Sequence, residues 1–221
     1  MLITGASRGF GRACVEAFLG DGWDVVATAR AAAPTELPGP TWVRWDVTDD
    51  DTRPLISALG GRPLDVLVNN AGRGTPGTPV EAVDVHALLD VCDVNVGGVI
   101  RTVQAVLANL RAAPAPIVFN ISSRLGSVQD QATGRYAHLS TSYAYRISKA
   151  AQNMTTTCLA NELAPDIRVW AVHPGVLGTA MGQANATQEP TVAAKRLVSL
   201  AADPDPTSPR FRNLDGDDLP W

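Results

Sequence analysis

Thr4-Gly5-Ala6-Ser7-Arg8-Gly9-Phe10-Gly11 is the stretch on which the fold is decided. Apolar Met1-Leu2-Ile3 precedes it and a helix-patterned run follows, so it reads as the turn from a strand into a helix. Its glycines let the backbone turn sharply and let a phosphate group approach the helix N-terminus closely. Taken alone, such a cluster serves equally well as a plain helix-capping turn. Its place on the first strand, ahead of several strand-helix units, favours the phosphate-binding reading.

Working outward, β-branched apolar runs recur at Asp24–Thr28, Thr41–Trp45, Asp65–Asn69, Pro116–Ile121 and Ile167–His173, with helix-patterned segments between them. Such alternation gives a parallel sheet with right-handed crossovers and helices on both faces. The expectation is one α/β domain over residues 1–221, a doubly wound Rossmann-like fold with about seven strands. Pro34–Pro40, Arg73–Pro79 and Asn185–Pro190 read as loops, and Pro165 closes a long helix near Ala164. Phe211–Leu214 could add a last strand within a tail rich in proline and aspartate. Leu2–Thr4 is short for a central strand, so either the natural start lies upstream of Met1 or the strand is simply short.

With 45% hydrophobic and 18% charged residues and a net charge of -4, the chain has no basic surplus to hold nucleic acid. Cys14, Cys92 and Cys158 are too dispersed for a metal or disulfide framework, and each reads as a small helix-packing residue in a reducing cytosol. No room for a leader peptide precedes the glycine turn, and no run of about 18 apolar residues suggests a membrane span. A cytoplasmic location without metal or membrane partners is the expectation.

Four further segments follow the glycine turn in order: Asn69-Asn70-Ala71-Gly72, Ile121-Ser122-Ser123, Tyr145-Arg146-Ile147-Ser148-Lys149, and His173-Pro174-Gly175-Val176 with Thr179. Together the five resemble the short-chain dehydrogenases/reductases, whose glycine turn is TGxxxGxG. The ending Asp215–Trp221 is similar to the compact branch of carbonyl-reductase-like and C-factor-like members. The resemblance implies an oxidoreductase that moves hydride between NADP(H) and a small carbonyl or alcohol substrate, with further copies of itself as the expected partners in a homodimer or homotetramer.

Tyr145 and Lys149 are four residues apart and share one helix face. By the resemblance, Tyr145 is general acid in reduction and base in oxidation, while Lys149 lowers its pKa and holds the nicotinamide ribose. Ser123 is the matching serine that would orient the carbonyl, although a strand-end serine also serves as a cap. Asn95, within a helix patterned from Asp84 to Arg111, matches the asparagine whose helix distortion completes the family's proton relay; a mid-helix asparagine can also simply be solvated.

The resemblance brings Gly5, Ser7, Arg8, Gly9, Phe10 and Gly11 to the pyrophosphate. Arg30 follows the second strand directly, where an acidic residue would bind the NAD ribose; with Arg8 it would hold an adenosine 2′-phosphate. Asp46 and Val47 match adenine-side contacts, though Asp46 could equally cap the next helix. Asn70, Ala71 and Gly72 would border the cofactor, and Pro174, Gly175, Val176 and Thr179 the nicotinamide. His173 reads as a packing histidine. The interval between Ser123 and Tyr145 exceeds the family's usual dozen or so residues, so Gly126–Ser142 is expected as a loop at the mouth. Ala180–Pro190 is short, implying a reduced lid. The same residues leave two other function classes open, non-redox elimination or isomerisation and a catalytically silent nucleotide sensor.

Overall fold

A computed structural model describes residues 1–32, 34–178, 186 and 188–221. Seven strands, β1 (Leu2–Ile3), β2 (Val26–Ala29), β3 (Thr41–Arg44), β4 (Val66–Asn69), β5 (Ile117–Ile121), β6 (Arg168–His173) and β7 (Arg210–Asn213), form one sheet in the order β3-β2-β1-β4-β5-β6-β7. Every pairing is parallel. The helices are α1 (Gly9–Gly20), α2 (Arg53–Leu59), α3 (Val85–Cys92), α4 (Gly98–Arg111), α5 (Val128–Ala132), α6 (Tyr143–Leu163) and α7 (Pro190–Ala201).

Alternation along the strands builds two cores, because successive side chains point to opposite faces. Ile3, Val66, Val68, Ile117, Phe119, Trp170 and Val172 pack with Phe18 of α1 and Leu197 of α7. Leu2, Leu67, Val118 and Val169 face the other way, onto Leu55 of α2, Val106 of α4 and Leu163 of α6. The helices thus cover both faces, as a parallel sheet requires.

The expected strands are present with edges moved by up to two residues. The first is short because the chain turns at Gly5, whose φ is +62°, although Thr4 N–H still bonds the Val68 carbonyl at 3.0 Å. The tail is ordered: β7 joins the sheet, and the Trp221 ring lies 5.4 Å from that of Phe211. Three expectations need correction. Gly126–Ser142 is not an irregular loop but carries α5, built around buried Asp130. Cys14 is buried, but Cys158 is exposed rather than a buried packing residue. The run Val85–Arg111 does contain an 18-residue window with mean hydropathy 1.3; Val103, Val106 and Leu110 in its α4 half pack into the second core, while Val85 and Leu89 at its start are exposed.

That run is also not one continuous α-helix. Asp84 caps it, accepting the His86 and Ala87 N–H groups, and residues Asp93–Gly97 widen into a π-helical segment before α4. Such single-turn bulges recur at functional sites because they redirect one side chain and its backbone.

Candidate active site

The strand order reverses between β1 and β4, and in open α/β sheets the crevice beyond the strands' carboxyl ends at such a point is the ligand site. Two turns meet there. A Cβ on Gly5 would lie 2.8 Å from the Ala71 Cα, and one on Gly11 would lie 2.3 Å from the Asn70 Nδ2. Asn70 donates from that nitrogen to the carbonyls of Thr4 and Gly5, at 2.9 and 3.0 Å. Its side chain therefore braces the glycine turn, a task the sequence motif did not disclose.

Arg8 precedes α1 in extended conformation without a side-chain cap, so the helix's first N–H groups keep no side-chain partner of that residue. Ser7 is half-buried, and the Phe10 side chain lies in the core, leaving its backbone at the turn. Arg30 follows β2 directly with its side chain 70% exposed, 4.0 Å from Asp46. Asp46 does not cap α2; its Oδ1 accepts the N–H and hydroxyl of Thr48. Val47 is buried against Gly98, and Pro174, Gly175 and Val176 are half-buried after β6. Thr179 and most of Ala180–Pro190 lie outside the described residues. An uncapped helix N-terminus, a glycine turn and exposed guanidinium groups fit an anionic dinucleotide.

The candidate catalytic residues converge. Ser142 caps α6 by accepting the Tyr145 N–H at 3.1 Å, which places Tyr145 in the helix's first turn. The Ser123 hydroxyl neighbours the Tyr145 phenol closely enough to lower its pKa, and Lys149 Nζ lies 5.8 Å from the Tyr145 ring centroid. A Cβ on Gly72 would stand 3.5 Å from Asn95 Oδ1 and 3.9 Å from Lys149 Nζ, so these groups border one space. Asn95 sits in the π-helical segment with its carboxamide fully used: Oδ1 accepts the Arg73 N–H, and Nδ2 donates to the Arg73 carbonyl and the Ser148 hydroxyl. It is buried rather than solvated. Ser123 Oγ also accepts the Leu125 N–H at 3.2 Å, the cap expected of a strand-end serine.

Burial pushes the Tyr145 phenol above its ordinary pKa, and nearby Ser123 offsets only part of this. Lys149, buried, is pulled down to about 7 by loss of solvent. Its ammonium is turned onto the Ile121 carbonyl at 2.7 Å and Gln152 Oε1 at 2.8 Å. Burial is therefore the dominant influence on the phenol, with the Lys149 ammonium 5.8 Å from its ring. His173 is buried and neutral, pulled down to about 3 by burial and by nearby Arg124.

Residues that motif reading missed position this group. Gln152, Asn153 and Thr156 follow Lys149 at helical spacing and are all buried. Asn153 Oδ1 accepts from Ser122, and Thr156 accepts from Asn120, which in turn accepts from Asn69. Arg146 reaches over the mouth segment, donating to Gln131 Oε1 and to the Tyr136 and Leu139 carbonyls. Polar residues at i+3, i+4 and i+7 from Lys149 were the available signal, because a helix face against a sheet is ordinarily apolar.

The short chain dehydrogenase family model matches residues 1–190. The chain belongs to the short-chain dehydrogenase family. Among relatives of this short-chain dehydrogenase, the C-signal protein of Myxococcus xanthus is 32% identical over 161 residues, covering 72% of this chain and 93% of that protein. Human L-xylulose reductase is 37% identical over 193 residues, covering 83% of this chain and 74% of the other. The NADPH-bound carbonyl reductase from chicken fatty liver superposes with a TM-score of 0.88 at 26% identity, covering 100% of this chain and 98% of that one. The Drosophila melanogaster carbonyl reductase Sniffer gives 0.86 at the same 26% identity, over 100% and 98% of the two chains.

Proposed function

We propose that this short-chain dehydrogenase is an NADPH-dependent ketone or aldehyde reductase. The observation that carries the reading is the convergence of Ser123, Tyr145 and Lys149 beside the glycine turn. NADPH held at this edge would supply hydride to the carbonyl carbon. Ser123 donates a hydrogen bond to the carbonyl oxygen and orients it. Tyr145, kept protonated by burial, gives its phenolic proton to that oxygen as charge develops there. Lys149 supplies the positive charge that stabilises the phenolate left behind. In the oxidative direction the same phenolate accepts the proton.

Arg8 and Arg30 support NADPH over NADH, since two exposed guanidinium groups and no acidic residue at Ala29 suit a 2′-phosphate. The similarity to an NADPH-bound carbonyl reductase points the same way. A homodimer or homotetramer belongs to the proposal, because Val85 and Leu89 on α3 and Tyr143, Ile147 and Met154 on α6 form exposed apolar stripes at helical spacing. So does a cytoplasmic location, in keeping with three unpaired cysteines. The test is to follow NADPH absorbance with a panel of ketones, aldehydes and quinones: turnover of at least one class supports the reading, and tight NADPH binding with every carbonyl inert favours a nucleotide sensor.

A further inference from the structure

We propose that Gln152 is a positioning residue for Lys149: with the Ile121 carbonyl it occupies two of the three ammonium donors and so aims the third N–H at the active site. The proposal rests on the reading of Lys149 as part of the reductase's proton-transfer group.

Gln152 is fully buried and lies one helical turn after Lys149 on α6. An ammonium only donates, so the amide atom facing it at 2.8 Å must be Oε1. This orientation leaves Gln152 Nε2 buried without a partner. A leucine of similar size would avoid that cost, as orphaned buried donors are destabilising. The glutamine therefore gives up stability at this position, and what it obtains in exchange is an oxygen on the ammonium. The second acceptor, the Ile121 carbonyl at 2.7 Å, is fixed by the sheet. Tetrahedral geometry at Nζ then leaves one direction for the remaining proton.

The environment makes these two oxygens decisive. Lys149 is 4% exposed, and loss of solvent is the whole cause of its lowered pKa; no charged group contributes. Its neighbours are Tyr145 on its own helix, Ile121 of β5, the Gly126 backbone, Gly72 after β4 and Asn95 of the π-helical segment. Tyr145 is the titratable one among them, and it is neutral at ordinary pH. With no carboxylate nearby, neutral acceptors alone retain the ammonium, and Gln152 is the one a side-chain replacement can remove.

The chain has only two lysines, Lys149 and exposed Lys195, so lysine labelled with carbon-13 at Cε gives two signals whose titrations are separable by NMR. Replacing Lys195 by arginine assigns them. The proposal expects the Lys149 midpoint to fall by about one to two pH units in Gln152→Leu, the equivalent of one charge-assisted hydrogen bond, and to rise in Gln152→Glu. Gln152→Met, unbranched and without the oxygen, is the second test should the leucine variant not fold. In the reductase assay the alkaline limb of kcat/KM should move with the NMR midpoint, down in Leu and Met, up in Glu. A folded Leu or Met variant with the wild-type midpoint, or a Glu variant whose midpoint falls, overturns the proposal. Should the wild type reduce no carbonyl, the reductase reading fails by itself, while the titration still decides what Gln152 does to Lys149.

Discussion

Asn95 and Ser148 stand 53 residues apart in the sequence and are joined by a 2.9 Å hydrogen bond from Nδ2 to Oγ. The bond ties the π-helical segment to α6, three residues beyond Tyr145. Because the same carboxamide also clamps the Arg73 backbone, Asn95→Ala removes the side-chain partner of the Arg73 N–H and carbonyl, takes one partner from the buried Ser148 hydroxyl and opens a cavity at a fully buried position. We expect a loss of about 2–4 kcal/mol in urea denaturation. A loss below about 0.5 kcal/mol would show that water replaces the side chain at little cost.

Gly126 lets the turn after Ser123 press against α6: a Cβ there would meet the Lys149 carbonyl carbon and oxygen at 2.7 Å. Both are backbone atoms and cannot swing aside. Gly126→Ala should cost about 1–3 kcal/mol and shift Ser123 away from Tyr145, lowering kcat more than it weakens cofactor binding. Wild-type thermal stability together with wild-type kcat would refute this contact.

His173 makes the fold sensitive to acid. Its folded pKa, about 3, lies below the unfolded value of 6.5, so the unfolded chain binds the proton first. Stability from this group is complete above pH 6.5 and drains away as the pH falls from there towards 3, by at most about 4–5 kcal/mol. Plotting unfolding free energy against pH should give a shallower slope over that window for His173→Leu than for wild type. Parallel slopes would mean that other groups govern acid unfolding.

Much of this was legible in the sequence, for identifiable reasons. The strands and their parallel order follow from apolar runs spaced by helix-length segments, and the site's outline follows from motifs that lie at strand ends. What escaped were contacts made across the fold. Asn70 was read as a cofactor border, yet its side chain braces Thr4 and Gly5, a relation that exists only once β1 and β4 are neighbours. Gln152 belongs to none of the motifs, and its contact with Lys149 exists only because both are buried against β5. The Gly126–Ser142 segment read as a loop because α5 is only five residues long, too short for periodicity to register.

Cofactor preference tests the exposed arginines. Two partly screened contacts to a 2′-phosphate should favour NADPH by about 10- to 1,000-fold in kcat/KM. Arg30→Ala should lose much of that while sparing NADH, and adding Ala29→Asp should turn the preference towards NADH, since a carboxylate repels the phosphate and accepts from the ribose. An Arg30→Ala ratio equal to wild type at fixed ionic strength would mark Arg30 as an ordinary surface charge.

The central claim is that the Tyr145 phenol delivers the proton while the rest of the chain holds the nucleotide. The direct measurement is the turnover of Tyr145→Phe on a carbonyl that the wild type reduces, alongside NADPH affinity from fluorescence titration. We predict a fall in kcat of about 10²- to 10⁴-fold with affinity nearly unchanged. A variant that keeps more than about half the wild-type rate on that substrate would contradict the account.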